Sequence, residues 1–146
     1  MADRDKARPI SDTDAAYIAG LIDGEGTVTL SRRHRNENRQ VCVTISSTER
    51  HMLEYVQEVI GVGKITNKAV VSEHHSPSFT YSISNRQALH LLESVVPWLK
   101  SYKQERARLI LRDYVRLTPR NGKYSPELKA ERQRFESAVL ALKANL

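Results

Sequence analysis

Apolar and polar positions alternate along this chain at two different periods, and the changes of period mark its elements. From Ala15 to Ile22 every residue is apolar or small (Ala15, Ala16, Tyr17, Ile18, Ala19, Gly20, Leu21, Ile22). Cap-type residues and acids precede this run at Ser11 to Asp14, and Gly24 ends it, which predicts a helix. A helix with so little polar face must be buried on several sides. Thr27 to Ser31 and Gln40 to Ser46 then alternate at period two, as strands joined by a polar, arginine-rich hairpin loop. Helical spacing returns between Glu49 and Ile60, with Met52, Leu53, Val56, Val59 and Ile60 on one face. After Gly61-Val62-Gly63 come strand candidates at Lys64 to Val71 and Ser78 to Ser84, then a helix capped by Ser84 or Asn85 and ending near Pro97. Lys103 to Leu117 predicts a further helix with Arg108, Arg112 and Arg116 on one face, broken by Pro119 and Asn121-Gly122. Ser125-Pro126 restarts a last helix, with Phe135, Ala138, Val139 and Leu142 as its buried stripe.

The order is therefore helix, hairpin, helix, hairpin, helix: an α+β arrangement written αββαββα, followed by C-terminal helices. The first helix leads into Ile22-Asp23-Gly24-Glu25-Gly26, and the second leads into Ile60-Gly61-Val62-Gly63. The second turn carries Val62 between its glycines. A turn of this kind thus forms without an acid, so Glu25 is better explained by function than by geometry.

Length and composition narrow the class. The chain has 146 residues, of which 40% are hydrophobic, enough for one domain with a real core. Residues 1–146 read as one domain, with a core over about 12–117 and a helical extension over about 118–146. No apolar run approaches the roughly 20 residues of a membrane span, and MADRDKARPI has no signal-peptide core. The expectation is a soluble, intracellular protein with no membrane partner, bacterial cytoplasm and organelle being indistinguishable. The single Cys42 excludes an internal disulfide and a cysteine-rich zinc site, and it reads as a small strand residue. His74 and His75 have no partner at metal-ligand spacing and read as surface residues. The formal charge of +6 decides little alone. Its clustering matters more: Arg32, Arg33, Arg35 and Arg39 lie in one loop, and basic residues dominate the stretch from Lys100 to Lys123, which favours a polyanionic partner.

The segment Ile18-Ala19-Gly20-Leu21-Ile22-Asp23-Gly24-Glu25-Gly26 is the richest in chemistry. It sets two carboxylates at a helix C-terminus, where the dipole favours cations. Free carbonyls plus a carboxylate are hard oxygen donors suited to Mg²⁺. The small residues of the helix also allow close approach of a second copy, which would bring two Glu25 side chains together and support metal-assisted phosphodiester hydrolysis. On the residues alone a second reading stays open: a buried structural helix with a glycine cap and two solvated acids.

Residues 18–26, IAGLIDGEG, closely resemble the signature of the LAGLIDADG homing endonucleases, and the helix and hairpin order over roughly 12–117 is similar too. The resemblance implies the LAGLIDADG endonuclease fold, with a curved antiparallel DNA-binding sheet. One copy of the motif implies the homodimeric form, whose interface would use Tyr17, Ile18, Gly20 and Leu21. It further implies that Glu25 binds the catalytic metal, Mg²⁺ with Mn²⁺ as a substitute, with the Gly24 carbonyl as a further ligand and Asp23 structural. Many members carry Asp at the position of Glu25, a mild departure. Pro97-Trp98-Leu99-Lys100-Ser101-Tyr102-Lys103-Gln104 resembles a second family stretch, which makes Lys103 the residue that offsets charge near the scissile phosphate, with Lys100 in reserve. Lys103 as a solvated helix-start lysine is the other reading. A polar residue closing the second strand, often Gln in relatives, falls on Ser46 or Ser47. Ser47 is taken as the candidate, and Arg50 as a basic residue beside the phosphates. Serine is shorter than Gln and would need a water to do the same work.

Strand alternation then assigns a reading surface. With Val28, Leu30, Val41, Val43, Ile45, Ile65, Phe79, Tyr81 and Ile83 inward, the outward set is Thr27, Thr29, Ser31, Arg33, Arg35, Gln40, Cys42, Thr44, Lys64, Thr66, Lys68, Thr80 and Ser82. Such a face can hydrogen-bond base edges in a major groove, or it can be an ordinary solvated sheet face. The arginines at 108, 112 and 116 would contact phosphates or stay solvated. The expected activity is a staggered, metal-dependent double-strand break in a long near-palindromic duplex, with double-stranded DNA rather than a small molecule as substrate. The alternatives are a non-catalytic relative, acting as an RNA maturase or a DNA-binding regulator, and a small protein-interaction module.

Overall fold

In a computed structural model, which describes residues 7–68 and 76–144, the element order is α1 Asp12–Glu25, β1 Gly26–Ser31, β2 Gln40–Ser47, α2 Arg50–Ile60, β3 Lys64–Lys68, β4 Ser78–Ser84, α3 Asn85–Val95, a short 3-10 turn Val96–Trp98, α4 Tyr102–Asp113 and α5 Pro126–Ala141. The end of the expected third strand, and with it His74 and His75, lies outside the described residues. The strands form one antiparallel sheet in the order β1-β2-β4-β3, so that the two hairpins join through β2 and β4.

Alternation in the strands sorts the sheet into two faces. Val28, Leu30, Val41, Val43, Ile45, Tyr81 and Ile83 are buried and share one cluster with α1 (Ile18, Ala19, Ile22), α2 (Leu53, Val56, Ile60), α3 (Leu91, Leu92, Val95) and α4 (Ala107, Ile110). The helices therefore cover this face, and burial of these side chains is the main driving force for the fold. Phe135 and Val139 of α5 join the same cluster. Ser11 caps α1 through the Asp14 amide, and Ser125 caps α5 through the Leu128 amide, with Pro126 in the first turn.

The junction between α1 and β1 needs a glycine at position 26. A Cβ there would stand 2.7 Å from the Ile22 Cα and 2.9 Å from the Thr44 carbonyl oxygen, both of them backbone atoms. Gly63, at φ 106°, enters β3 with the Tyr81 ring packed against it, and the Tyr81 hydroxyl donates to the Val62 carbonyl at 2.7 Å.

Four expectations are corrected. First, α1 extends to Glu25 and is buried on one side only, through Ala15, Ile18, Ala19 and Ile22. Thr13, Tyr17, Gly20 and Gly24 form an exposed face. Second, α4 spans Tyr102–Asp113 rather than Lys103 to Leu117, and its arginines are ion-paired: Arg108 with Glu105, Arg112 with Asp113, and Arg116, beyond the helix, with Asp113 and Glu131. Third, the buried face of α5 is Arg132, Phe135, Glu136 and Val139; Ala138 is exposed and Leu142 half-buried. Fourth, Arg33 and Arg35 belong to the loop between β1 and β2, so strand parity does not carry them onto the sheet face.

Candidate active site and sheet surface

The C-terminal end of α1 is held by the turn that begins α4. The Asp23 carboxylate accepts from the Lys100 amide at 2.8 Å, the Ser101 amide at 3.2 Å and the Ser101 hydroxyl. Ser101 in turn caps α4 by accepting from the Lys103 amide at 3.2 Å. Partial burial pushes the Asp23 carboxyl up, but the Ser101 hydroxyl, the two amides and Lys103 together hold it below its ordinary value. Asp23 is therefore a committed structural acid, as the motif implied.

Lys103 lies 8% exposed at this junction. Its Nζ donates to the Ile22 carbonyl at 2.8 Å and the Asp23 carbonyl at 3.0 Å. Both carbonyls belong to the last turn of α1, where the Ile22 oxygen also accepts from the Gly26 amide, and an ammonium at a helix C-terminus is what the dipole favours. Burial lowers its pKa. Asp23 opposes this, neighbouring Arg106 adds to it, and Glu25 opposes it weakly. This lysine is not a solvated helix-start residue. Lys100, the reserve candidate, is exposed and contributes only its amide to Asp23.

Glu25 contrasts with Asp23. It is exposed, and among the described residues it forms no hydrogen bond or ion pair; only the Lys103 charge acts on it. Gly24 is exposed as well, with open space where a Cβ would stand. Hard oxygen donors are thus present at one point: a free carboxylate and the terminal carbonyls of a helix. The described residues contain no group of three or more His, Cys, Asp or Glu able to hold a metal. One protomer therefore offers one free carboxylate, which fits a divalent cation only where other oxygens complete the shell.

The register sets the outward side chains in rows. Thr27, Thr44, Ser82 and Lys64 stand side by side across all four strands; Thr29, Cys42 and Ser84 form the next row, and Ser31 opposes Gln40. In the other direction Ser46, Thr80 and Thr66 align, followed by Ser78 and Lys68. The expected outward residues of the strands thus share one polar face, with Thr29, Cys42, Thr44, Thr80 and Ser82 half-buried and the others exposed. Burial raises the Cys42 thiol above its usual range, outweighing a bond from Ser31, as for a small strand residue. Arg33 and Arg35 are exposed in the loop beyond its end.

Ser47 falls on the wrong side. It has the parity of Val43 and Ile45, pairs with Phe79, and accepts from the Glu49 amide at 2.9 Å to start α2. Ser46 is the serine on the polar face, 2.9 Å from the Thr80 hydroxyl and one residue past the Gly26–Ile45 pair at which α1 enters the sheet. Arg50 is occupied by Glu54 at 2.9 Å and the Phe79 ring. Of the expected interface residues, Tyr17 and Gly20 are exposed and Leu21 is half-buried, but Ile18 is 0% exposed within its own core and has no surface left for a partner. Sequence patterning also missed Ser101, which holds Asp23, and a side-chain chain in which Asn85 joins Gln40 at 3.2 Å to Tyr114 at 3.2 Å. No periodicity marks such contacts.

Residues 12–96 match the family model of the LAGLIDADG-like domain. Among solved structures, the homing endonuclease I-CvuI in complex with its target is similar at a TM-score of 0.72 and 18% identity, over 92% of this chain and 85% of that one. The archaeal intron-encoded homing endonuclease I-Vdi141I complexed with DNA gives 0.67 and 18%, over 92% and 87%. The meganuclease I-AabMI bound to uncleaved DNA gives 0.64 and 20%, over 90% of this chain but 46% of that one. The match over more than half of the chain, on the segment that builds α1, its acidic end and both hairpins, makes this protein a member of the LAGLIDADG family.

Proposed function

We propose that this chain is a site-specific DNA endonuclease that works as a homodimer and makes a metal-dependent, staggered double-strand break in a long near-palindromic duplex. The observation that carries the reading is the difference between the two acids of α1. Asp23 is consumed by the fold, whereas Glu25, two residues on, is exposed and, among the described residues, without an ion pair, beside a buried lysine. A carboxylate at a helix C-terminus costs stability, and among the described residues only the Lys103 charge offsets that cost, with no hydrogen bond or ion pair.

The exposed face of α1 supplies the second half of the site. Gly20 and Gly24 have open space where a side chain would stand, so a second α1 can approach closely there. A two-fold axis along this face would bring two Glu25 carboxylates and two Gly24 carbonyls together, completing the oxygen set that one protomer lacks. A divalent cation held there, Mg²⁺ or Mn²⁺, supplies Lewis-acid charge and a water of lowered pKa. Lys103 fixes the helix end by its two carbonyl bonds, and its positive charge would offset phosphate charge at the point of cleavage. Ser46, at the end of β2 just past its pairing with β1, would hold a water by its hydroxyl.

The duplex would lie on the polar sheet face, where threonines, serines, Gln40 and lysines can meet base edges in the major groove, with the loop arginines beyond. The I-CvuI and I-Vdi141I structures are complexes with DNA, which supports this placement. The test is cleavage of a plasmid library of randomised half-sites in Mg²⁺ and in EDTA. Recovery of one recurrent near-palindrome, cut only with metal, is expected. Specific binding with no cutting in either condition would make the protein a non-catalytic DNA-binding relative. Retention of a folded RNA in place of duplex would make it a maturase.

A further inference from the structure

The C-terminal helix α5 has a charged group where a core stripe was expected. Arg132 is 1% exposed and Glu136 8%, and they pair at 3.0 Å. The remaining donors of Arg132 reach the Leu117 carbonyl at 2.9 Å, the Thr118 hydroxyl, and the Arg39 carbonyl at 2.6 Å. Glu136 accepts the Arg39 amide at 3.2 Å. Both backbone polar groups of Arg39 are thus held by one ion pair on a helix far along the chain.

Arg39 is the last residue of the loop between β1 and β2, and Gln40 after it begins the polar face. Among the described residues the loop has one backbone turn bond of its own, from the Glu37 amide to the His34 carbonyl at 3.1 Å. The end of the loop is also held within its own hairpin by the Arg39 guanidinium, which donates to the Leu30 carbonyl at 3.4 Å, and from α5 by the Arg132–Glu136 pair, which grips the Arg39 backbone. Two buried charges are an expensive way to cover a sheet edge, since apolar residues of similar volume would commonly serve as well. What apolar residues could not do is hold an amide and a carbonyl of the same residue in fixed positions.

We infer that Arg132 and Glu136 are positioning residues for base readout: through Arg39 they fix the β1–β2 loop, and so α5 sets base preference in the outer part of each half-site. The inference rests on the DNA-reading function proposed above. The loop starts after Ser31, five residues past Gly26, or about 17 Å from the metal end at about 3.3 Å per residue. At about 3.4 Å per base pair it therefore reaches positions from about five base pairs outward. Each bidentate arginine contact held there is worth roughly 5- to 150-fold in discrimination.

The test compares wild type with Arg132→Met/Glu136→Leu, a double variant that removes both charges and leaves no lone buried ion. Half-site selection on duplex DNA, melting temperature and amide exchange at positions 39 and 40 are read for both. Expected are an unchanged preference at inner positions, a loss of about 5-fold or more at outer ones, and faster exchange at 39 and 40, with the fold retained. Outer preference unchanged beside the wild type overturns the inference, as does an equal loss at inner and outer positions. Should the double variant melt early, Arg132→Lys serves instead. It keeps the charge but not the fork, and must lose outer preference selectively for the inference to stand. A wild type with no base preference at all would instead bring down the DNA-reading proposal on which this one rests.

Discussion

Replacing Lys103 by Met removes the ammonium but keeps most of the stem that packs at the junction of α1 and α4. Two charge-assisted hydrogen bonds are lost, at 2.8 and 3.0 Å, and the Ile22 and Asp23 carbonyls lose a partner. Each such bond contributes about 1.5–3 kcal/mol. Part of this is offset because the variant no longer buries a charge, the largest cause of the lowered lysine pKa. The net loss should be about 1–3 kcal/mol, or a fall in melting temperature of roughly 2–12 °C at about 2–4 °C per kcal/mol. Differential scanning calorimetry at neutral pH reads it. The pH dependence adds a signature. A lysine whose folded pKa lies below its unfolded value penalises the fold while protonated, and that penalty is relieved as pH rises from the folded value toward 10.5. Wild type should therefore gain on Lys103→Met over that window and not below it. A melting temperature within 1 °C of wild type, with no difference in slope, would refute the view of Lys103 as the clamp of the α1 terminus.

The remaining predictions concern the same junction and its open face. Asp23→Asn should destabilise the chain at neutral pH. Because the folded carboxyl titrates below its ordinary 3.8, its contribution is complete above that value and lost as pH falls through the lower one. Denaturant curves of wild type and variant should thus converge in strong acid; a gap that stays constant down to pH 2 would contradict the assignment. Gly20→Leu fills open space in one protomer, so the folded circular dichroism spectrum should survive while sedimentation shifts from dimer to monomer and DNA cleavage is lost. An intact dimer with this variant would remove α1 from the interface.

Much of this architecture was legible because it rests on period. The alternation of β1, β2 and β4, the helical spacing of α2 and the caps of α1 and α5 each depend on neighbouring residues, and local pattern is what a sequence displays. Where the account failed, the deciding contact was distant or one step of register away. Ser46 and Ser47 differ by one residue, yet one faces the polar surface and the other starts α2, a choice settled only by pairing with β4. Ile18 matched an interface position in the motif, but the face of α1 that turns inward is chosen by the sheet and α3. Arg132 and Glu136 went unnoticed because the backbone they hold, at Arg39, is 93 residues away from Arg132. Glu25 was the opposite case. Its motif position singled it out without any structure, whereas the comparison with Gly61-Val62-Gly63 does not hold: Gly24 and Glu25 are still helical, while Gly61 and Gly63 take positive φ.

The central claim is that Glu25 carries metal-dependent strand cleavage, and one experiment addresses it directly. On the near-palindrome recovered from the half-site library, wild type and Glu25→Gln are compared in Mg²⁺, with duplex binding measured on the same preparations. Glu25 is exposed and makes no hydrogen bond or ion pair among the described residues, so the variant should fold and bind the duplex while its cleavage rate falls by about 10³-fold or more, a change on the scale of a major catalytic group. Cleavage retained at the wild-type rate by a folded, DNA-binding Glu25→Gln would contradict the account.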